Sequence, residues 1–179
     1  MLMSKFVLLV YGSLCTGKST TIKIIQDKHR EIFHGSMDNI KWFISDYSSE
    51  KYARLGVVNK ILLAMNSQVV KEGMSIIVEG NAGLMLMRDQ YLKLAKEHNF
   101  NFIQVNIEAP YDVLLQRLKN RVLYSLKENI KISVKEEDQM RKRYEDYFKY
   151  KINEIPTFYS HKDSANEIAE KIEKILKIN

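Results

Sequence analysis

The chain alternates between short apolar runs and longer segments in which apolar residues recur every three or four positions. Short apolar runs are typical of strands that are buried on both faces, and a spacing of three or four is typical of amphipathic helices. Three runs predict strong strands and two predict weaker ones, the strong runs lying at 6–11, 75–78 and 101–107 and the weak ones at 32–37 and 155–159.

The segments between these runs predict the helices. Two of them begin at capping boxes, Ser133 with Glu136 and Ser164 with Glu167, and the others lie at 20–29, 39–45, 52–71, 85–98 and 111–126. Strands that alternate with helices favour a mostly parallel sheet with helices on both faces, that is, a three-layer α/β fold. The sparse prolines and glycines mark no linker, so we expect a single domain over residues 1–179.

The segment after the first strand fits the pattern G-x-x-x-x-G-K-[ST], which is typical of a phosphate-binding loop. A strand before it and a helix after it are the context that this motif requires, which disfavours a simple glycine turn. The two glycines allow backbone amides to curl around a phosphate, and the following helix start favours anions. We therefore expect ATP to bind through Gly12, Ser13, Leu14, Cys15, Thr16, Gly17, Lys18, Ser19 and Thr20. Lys18 is expected to reach the β- and γ-phosphates, and the Ser19 hydroxyl to bind Mg²⁺.

Two carboxylates follow predicted strands, at the edge of a parallel sheet where ligands bind. Asp38 comes after the second strand and could accept the proton of an acceptor hydroxyl, or it could cap the helix that follows. Glu79 ends the third-strand run, where a carboxylate often holds Mg²⁺ or its water shell; the alternative is a solvated carboxylate at a strand end.

Arg117 and Arg121 stand four residues apart on the helix after Pro110, so both face one side. Such a pair can stabilise the charge that develops on a transferred phosphoryl group, although a solvated basic face is the alternative. Residues 117–132 are the candidate lid that would exclude water. Arg88, Arg141 and Arg143 are weaker candidates, and the four histidines, His34 among them, are expected at the surface.

Composition narrows the classes of protein further. The chain has one cysteine and no apolar run long enough to span a membrane, and its N-terminus runs directly into the first strand. We therefore expect a cytoplasmic protein with no disulfide. Lys and Arg number 28 against 22 Asp and Glu, a net charge of +6. This balance suits a polyanionic ligand such as a nucleotide or nucleic acid, but it also suits a lysine-rich surface.

These motifs together resemble the small P-loop kinases of the nucleoside-monophosphate-kinase-like fold, in the branch with polynucleotide 5′-kinases and small-molecule phosphotransferases. Asp38 with Lys41 is similar to that family's Asp-x-hydrophobic-Arg motif, with lysine in place of arginine, and Glu79 stands where aspartate is more common. The segment 140–144 is similar to the helix after the lid of polynucleotide kinases. The resemblance implies a five-stranded sheet in the order 2-3-1-4-5, and Asp38 as the general base or the contact of the acceptor hydroxyl.

The leading hypothesis is an ATP- and Mg²⁺-dependent kinase that transfers the γ-phosphoryl group to a hydroxyl or phosphate of a small molecule or nucleotide. In this hypothesis Lys18, Asp38, Arg117 and Arg121 are catalytic, and Ser19 and Glu79 hold the metal. The first alternative is a polynucleotide 5′-hydroxyl kinase. The second is a nucleotide-binding regulatory module with little or no transfer activity. The acceptor and the oligomeric state stay open.

Overall fold

The computed structural model describes residues 5–45, 56–130, 132 and 134–178. In chain order its elements are β1 (Phe6–Tyr11), α1 (Lys18–Lys28), β2 (Ile32–Ser36), α2 (Met37–Trp42), α3 (Val57–Lys71), β3 (Ser75–Gly80), α4 (Ala82–Met85), α5 (Arg88–Glu97), β4 (Asn101–Glu108), α6 (Tyr111–Lys127), α7 (Glu137–Tyr150), β5 (Thr157–Tyr159) and α8 (Ala165–Leu176). Strands and helices therefore alternate as the apolar pattern predicts.

The strands form one sheet in the order β2-β3-β1-β4-β5, and all four neighbouring pairs are parallel. This is the predicted order. All six residues of β1 are buried, as expected for a central strand of a parallel sheet that is covered on both faces. The weak fifth run is confirmed as a strand of three residues at the sheet edge.

Each face of the sheet builds its own hydrophobic core, because successive side chains of a strand point to opposite sides. Val7, Leu9 and Tyr11 face a core that includes side chains of α3 and α5. Phe6, Leu8 and Val10 face the other core, which is completed by α1 and α8. The predicted helical layers on both faces are confirmed.

A third, smaller core joins α6 and α7 to the loop after β1. Leu114 and Leu118 of α6 pack with Met140 of α7, and the loop residues Leu14 and Cys15 are partly buried against them. This core holds the two helices over the carboxyl edge of the sheet, and so it sets where their charged side chains lie.

Some boundaries differ from the predictions for local reasons. The helix expected at 85–98 begins at Arg88 as α5, and Met85 ends a separate short helix, α4. This helix begins where the Asn81 side chain accepts a hydrogen bond from the amide of Gly83 at 3.2 Å. The helix expected after Ser133 begins at Glu137, and Ser133 itself lies outside the described residues, as does the expected start of α3 at Tyr52.

The second predicted capping box is confirmed at the start of α8. The Ser164 side chain accepts from the amide of Glu167, and the Glu167 side chain accepts from the amide of Ser164. Among the helices of the described residues, none combines the length and the apolar character needed to cross a membrane.

Gly12 directly follows β1 and lies against the backbone of β4. A Cβ atom at this position would lie 2.3 Å from the carbonyl oxygen of Ile107 and 2.8 Å from Oγ1 of Thr16. The first of these contacts is with backbone, which cannot rotate away, so the loop requires glycine here for reasons of space.

We expect Gly12→Ala to lower the free energy of unfolding by about 1–3 kcal/mol, the usual cost of overpacking. Chemical denaturation of the free protein measures this. Gly83→Ala is the control, because a Cβ there meets no atom closer than 3.7 Å. Equal stability of the two variants would contradict the steric explanation.

Candidate functional site

The carboxyl ends of the strands open into one cavity of about 1250 Å³. Val10 of β1, Glu79 of β3 and Ser36 of β2 lie side by side in the sheet register, so the segments that follow the three strands emerge at the same level. This edge is where open parallel sheets bind ligands. Except for Ser13, which is buried beside it, every residue of the predicted site lines this cavity.

The loop after β1 has the backbone of an anion-binding turn. Cys15 and Gly17 adopt positive φ angles of 62° and 89°, and the Thr16 hydroxyl donates to the carbonyl oxygen of Ser13 at 3.1 Å. Cys15 is a non-glycine residue in the left-handed region, a local strain typical of functional loops. Burial raises the pKa of the Cys15 thiol, against the nearby cations, so this thiol is not activated as a nucleophile.

Lys18 is folded onto the loop that precedes it. Its ammonium group donates to the carbonyl oxygens of Gly12 at 3.0 Å and Ser13 at 2.7 Å. Burial lowers the pKa of Lys18, although Glu79 and Asp38 favour the charged form. The loop therefore holds a cation at its centre, beside the amide groups of the turn.

Ser19, Glu79 and His34 form a chain of polar side chains across the site. The Ser19 hydroxyl donates to Oε2 of Glu79 at 2.7 Å, and Nε2 of His34 lies 3.1 Å from Oε1 of the same carboxylate. The expectation that His34 lies at the surface is wrong, since its side chain is only 18% exposed. No local signal in the sequence marks it, because His34 lies within the strand predicted at 32–37 and not after its end.

Glu79 is ionised despite its burial. Burial alone would raise the pKa of this carboxyl group, but contacts with His34, Lys18 and Ser19 outweigh it and lower the pKa to about 2. The cavity therefore contains a fixed negative charge next to the Ser19 hydroxyl.

Asp38 is not a helix cap. Ser36 occupies the N-cap position of α2, and Asp38 lies in the first turn of that helix. Its Oδ1 is 2.5 Å from Nζ of Lys41, and the Asp38 side chain is 49% exposed on the wall of the cavity. The carboxylate is therefore accessible to a ligand, while the largely buried Lys41 holds it in place.

The two arginines of α6 both reach the cavity, as their spacing predicts, but they differ in their contacts. Arg117 donates to the carbonyl oxygen of Cys15 at 3.2 Å, and to the hydroxyl and carbonyl oxygens of Ser160 at 2.8 and 2.6 Å. Arg121 forms no ion pair with a carboxylate of the described residues, and it lies near the Cys15 thiol. Arg117 thus connects the loop to the segment after β5, and Arg121 stays available to a ligand.

Of the three weaker arginine candidates, only one lines the cavity. Arg88 contacts Gln104 and Asp89, and Arg141 pairs with Glu137 at 3.1 Å and lies over the Tyr111 ring, so neither lines the cavity. Arg143 does line it.

Several further polar residues that the sequence did not indicate as site residues line the cavity. Lys142 and Asp146 come from α7, Asn59 comes from α3, and Ser160 and Asp163 follow β5. The rule that polar residues after parallel strands form the site could have found Ser160 and Asp163. No local signal marks Asn59 or Asp146, whereas Lys142 lies in the segment 140–144 that resembles the helix after the lid.

The residues present fit a magnesium ion that is bound together with a nucleotide. In the described ranges, no three His, Cys, Asp or Glu side chains are grouped as a metal site of their own. Ser19 and Glu79 nevertheless place two oxygen donors next to the loop. Mg²⁺ in nucleotide sites commonly takes one or two protein oxygens and completes its shell with water and phosphate.

Comparison with solved structures identifies the fold. A protein from Chloroflexus aurantiacus that is provisionally named a kinase gives a TM-score of 0.72 at 18% identity, covering 96% of this chain and 98% of that one. APS kinase from Mycobacterium tuberculosis, solved with AMPPNP and APS, gives 0.65 at 13% identity over 97% and 98% of the two chains. A chain of the Pnkp1/Rnl/Hen1 RNA repair complex gives 0.61 at 15% identity over 84% of this chain and 46% of that one.

The chain therefore has the fold of the P-loop kinases, as its resemblance to them implied. No family model and no curated protein matches its sequence.

The lowered pKa of Glu79 predicts a specific acid sensitivity. Its ordinary pKa is 4.5 and its folded value is about 2, so the unfolded chain takes up this proton more readily. The stability that Glu79 contributes is complete above its unfolded pKa and is lost as the pH falls through the range between the two values.

We expect the free energy of unfolding of Glu79→Gln to fall less steeply than that of the wild type between about pH 5 and pH 3, by on the order of 1–2 kcal/mol. Urea denaturation at several pH values measures the slope. The control is Glu170→Gln, which changes an exposed carboxylate of α8. Parallel curves for the wild type and Glu79→Gln would exclude the assigned cause.

Proposed function

We propose that this protein is a single-domain, ATP- and Mg²⁺-dependent kinase that transfers the γ-phosphoryl group to a hydroxyl or phosphate of a small molecule or nucleotide. One observation carries the proposal: Lys18, Ser19, Asp38 and Glu79 open into the same cavity at the carboxyl edge of a P-loop kinase fold. A loop that only bound nucleotide would not need Asp38, whose carboxylate is accessible on the wall of the same cavity.

The donor side of the proposal rests on the loop. Its amides and Lys18 would bind the β- and γ-phosphates, in a turn that β1 and Gly12 hold in place. Ser19 and Glu79 would hold Mg²⁺, which supplies positive charge to the phosphate oxygens when bound. The structure of APS kinase with AMPPNP, an ATP analogue, supports a nucleoside triphosphate as the donor for this fold.

The acceptor side rests on Asp38. Its carboxylate would take the proton of the acceptor hydroxyl while the acceptor oxygen bonds to the γ-phosphorus and the bond to the bridging oxygen of ADP breaks. Lys41 orients this carboxylate through their ion pair. Arg121 would neutralise charge on the transferred group, and Arg117 would hold the loop and the segment after β5 together.

The candidate lid at 117–132 comprises the second half of α6 and the turn after it, with residue 131 outside the described ranges. Its closure would exclude water from the γ-phosphate.

The net charge of +6 and the likeness to a chain of the RNA repair complex support a polynucleotide 5′-hydroxyl kinase as the second candidate function.

Asp38→Asn tests whether the protein is an enzyme or a nucleotide-binding module. We expect transfer of labelled γ-phosphate into acceptors to fall by about 10²–10⁴-fold with ATP affinity unchanged, because a general base is lost and no donor contact is. Lys18→Ala should lose both properties. Asp138→Asn, which changes an exposed carboxylate of α7 outside the cavity, is the control. ATP binding with no Lys18-dependent transfer in the wild type would favour the binding module.

Arg117 and Arg121 should respond differently to substitution. We expect Arg121→Gln to lower kcat by about 10²–10³-fold at unchanged thermal stability, since it removes a cation that only the transferred group needs. Arg117→Gln breaks bonds to Ser160 and the loop, so it should lower the melting temperature as well. Calorimetric melting with steady-state kinetics measures both effects. A stability loss confined to Arg121→Gln would reverse the assigned roles.

A further inference from the structure

Two cations on the cavity wall have no role in the proposed transfer. The described residues contribute six cationic and four anionic side chains to this wall: Lys18, Lys41, Arg117, Arg121, Lys142 and Arg143 against Asp38, Glu79, Asp146 and Asp163. The roles proposed above for the loop, the metal site and the acceptor carboxylate do not involve Lys142 and Arg143 of α7.

Most of the other charges already have partners. Lys18 contacts loop carbonyls, Lys41 pairs with Asp38, and Asp163 pairs with Lys171 of α8 at 2.6 Å. Within the part of the chain that the structure describes, no ion pair or hydrogen bond engages Lys142 or Arg143. Cations that line a cavity without a protein partner favour an anionic ligand.

Two buried residues of α7 fix the position of the helix that carries these cations. At one end of the helix Met140 is fully buried against the phosphate loop, and further along Tyr147 is fully buried and donates a 2.7 Å hydrogen bond to Glu108. Tyr147 shares its core with Met85 of α4, which follows β3. Residues 142–146 lie between these anchors, and the helix packs beside α4.

The size of the cavity leaves space for a second ligand. A pocket for one drug-sized ligand typically has a volume of about 300–1000 Å³. The present cavity of about 1250 Å³ is lined by Ser160 and Ser164 after β5, by the loop, by Asp38 and Asn59, and by α7. A nucleotide and a small acceptor therefore fit together.

We propose that the acceptor is a small molecule that carries a phosphate or carboxylate group in addition to its accepting hydroxyl, and that Lys142 and Arg143 bind this anionic group. Asp146 is on the same wall, so α7 contributes one net positive charge, which suits a single anionic group better than a polyanionic strand. The inference rests on the proposed phosphotransfer: the acceptor oxygen bonds to the γ-phosphorus, its proton passes to Asp38, and ADP leaves.

The first experiment compares matched acceptors in the wild type with labelled ATP and Mg²⁺. The pairs are a nucleoside and its 3′-monophosphate, a sugar and its monophosphate, and an alcohol and the corresponding hydroxy acid. A 5′-hydroxyl oligonucleotide represents the macromolecular alternative. We expect kcat/KM to be at least about tenfold higher for the anionic member of an accepted pair, because one charge-assisted hydrogen bond to the anionic group contributes a gain of about this size. Equal rates within a pair, or transfer to the oligonucleotide alone, would overturn the inference.

The second experiment does not depend on knowing the acceptor. The protein is saturated with Mg²⁺ and AMPPNP and titrated by calorimetry with inorganic phosphate as the probe. We expect a second anion site in the wild type, weakened about tenfold or more in Lys142→Gln/Arg143→Gln and retained in part in Arg143→Lys. Lys93→Gln/Lys96→Gln removes the same charge from the exposed face of α5, outside the cavity and the candidate lid, and should bind phosphate like the wild type.

The results separate this inference from the proposed function. No phosphate binding by the AMPPNP-bound wild type, or weakened AMPPNP binding as the main effect of the α7 double variant, would overturn the inference and leave phosphotransfer standing. AMPPNP binding that does not depend on Lys18 would instead count against the proposed function itself.

Discussion

The backbone at the end of β1 is the constraint on which the rest of the site depends. Gly12 is in contact with the Ile107 carbonyl of β4, so the chain can leave the sheet there only without a side chain. The turn that follows brings the Lys18 ammonium onto its own carbonyls and starts α1 directly after it. Because β1 is central and wholly buried, this turn has little freedom to move.

The register of the sheet fixes the positions of the ends of β2 and β3 relative to the end of β1. Glu79 lies beside Val10 and Ser36, so its carboxylate meets Ser19 on one side and His34 on the other. A buried carboxylate without partners would be costly, and here its partners make the ionised form the stable one. The charge next to the loop is thus fixed by the fold, before any ligand binds.

The cationic side of the cavity is organised differently. Arg121, Lys142 and Arg143 lie on α6 and α7, which the small core around Met140 attaches to the loop. Their charged groups are partly or fully exposed, and no carboxylate within the described ranges pairs with them. A rigid anionic centre and adaptable cations around it suit a site that must close on two ligands, and they agree with the phosphotransfer proposed for this fold.

The sequence by itself determined the strands, their order through the resemblance, and the phosphate loop, because these depend on local patterns of apolar residues and on glycines at fixed spacing. It also placed Asp38 and Glu79, since both directly follow apolar runs. It could not show that Asp38 is free of a capping role, which depends on where α2 begins. It could not find the contact of His34 with Glu79, the bonds of Arg117 to Ser160, or the presence of Lys142 and Asp146 on the cavity wall. Those depend on strand register and on how α6 and α7 pack, and only the tertiary structure brings such distant residues together.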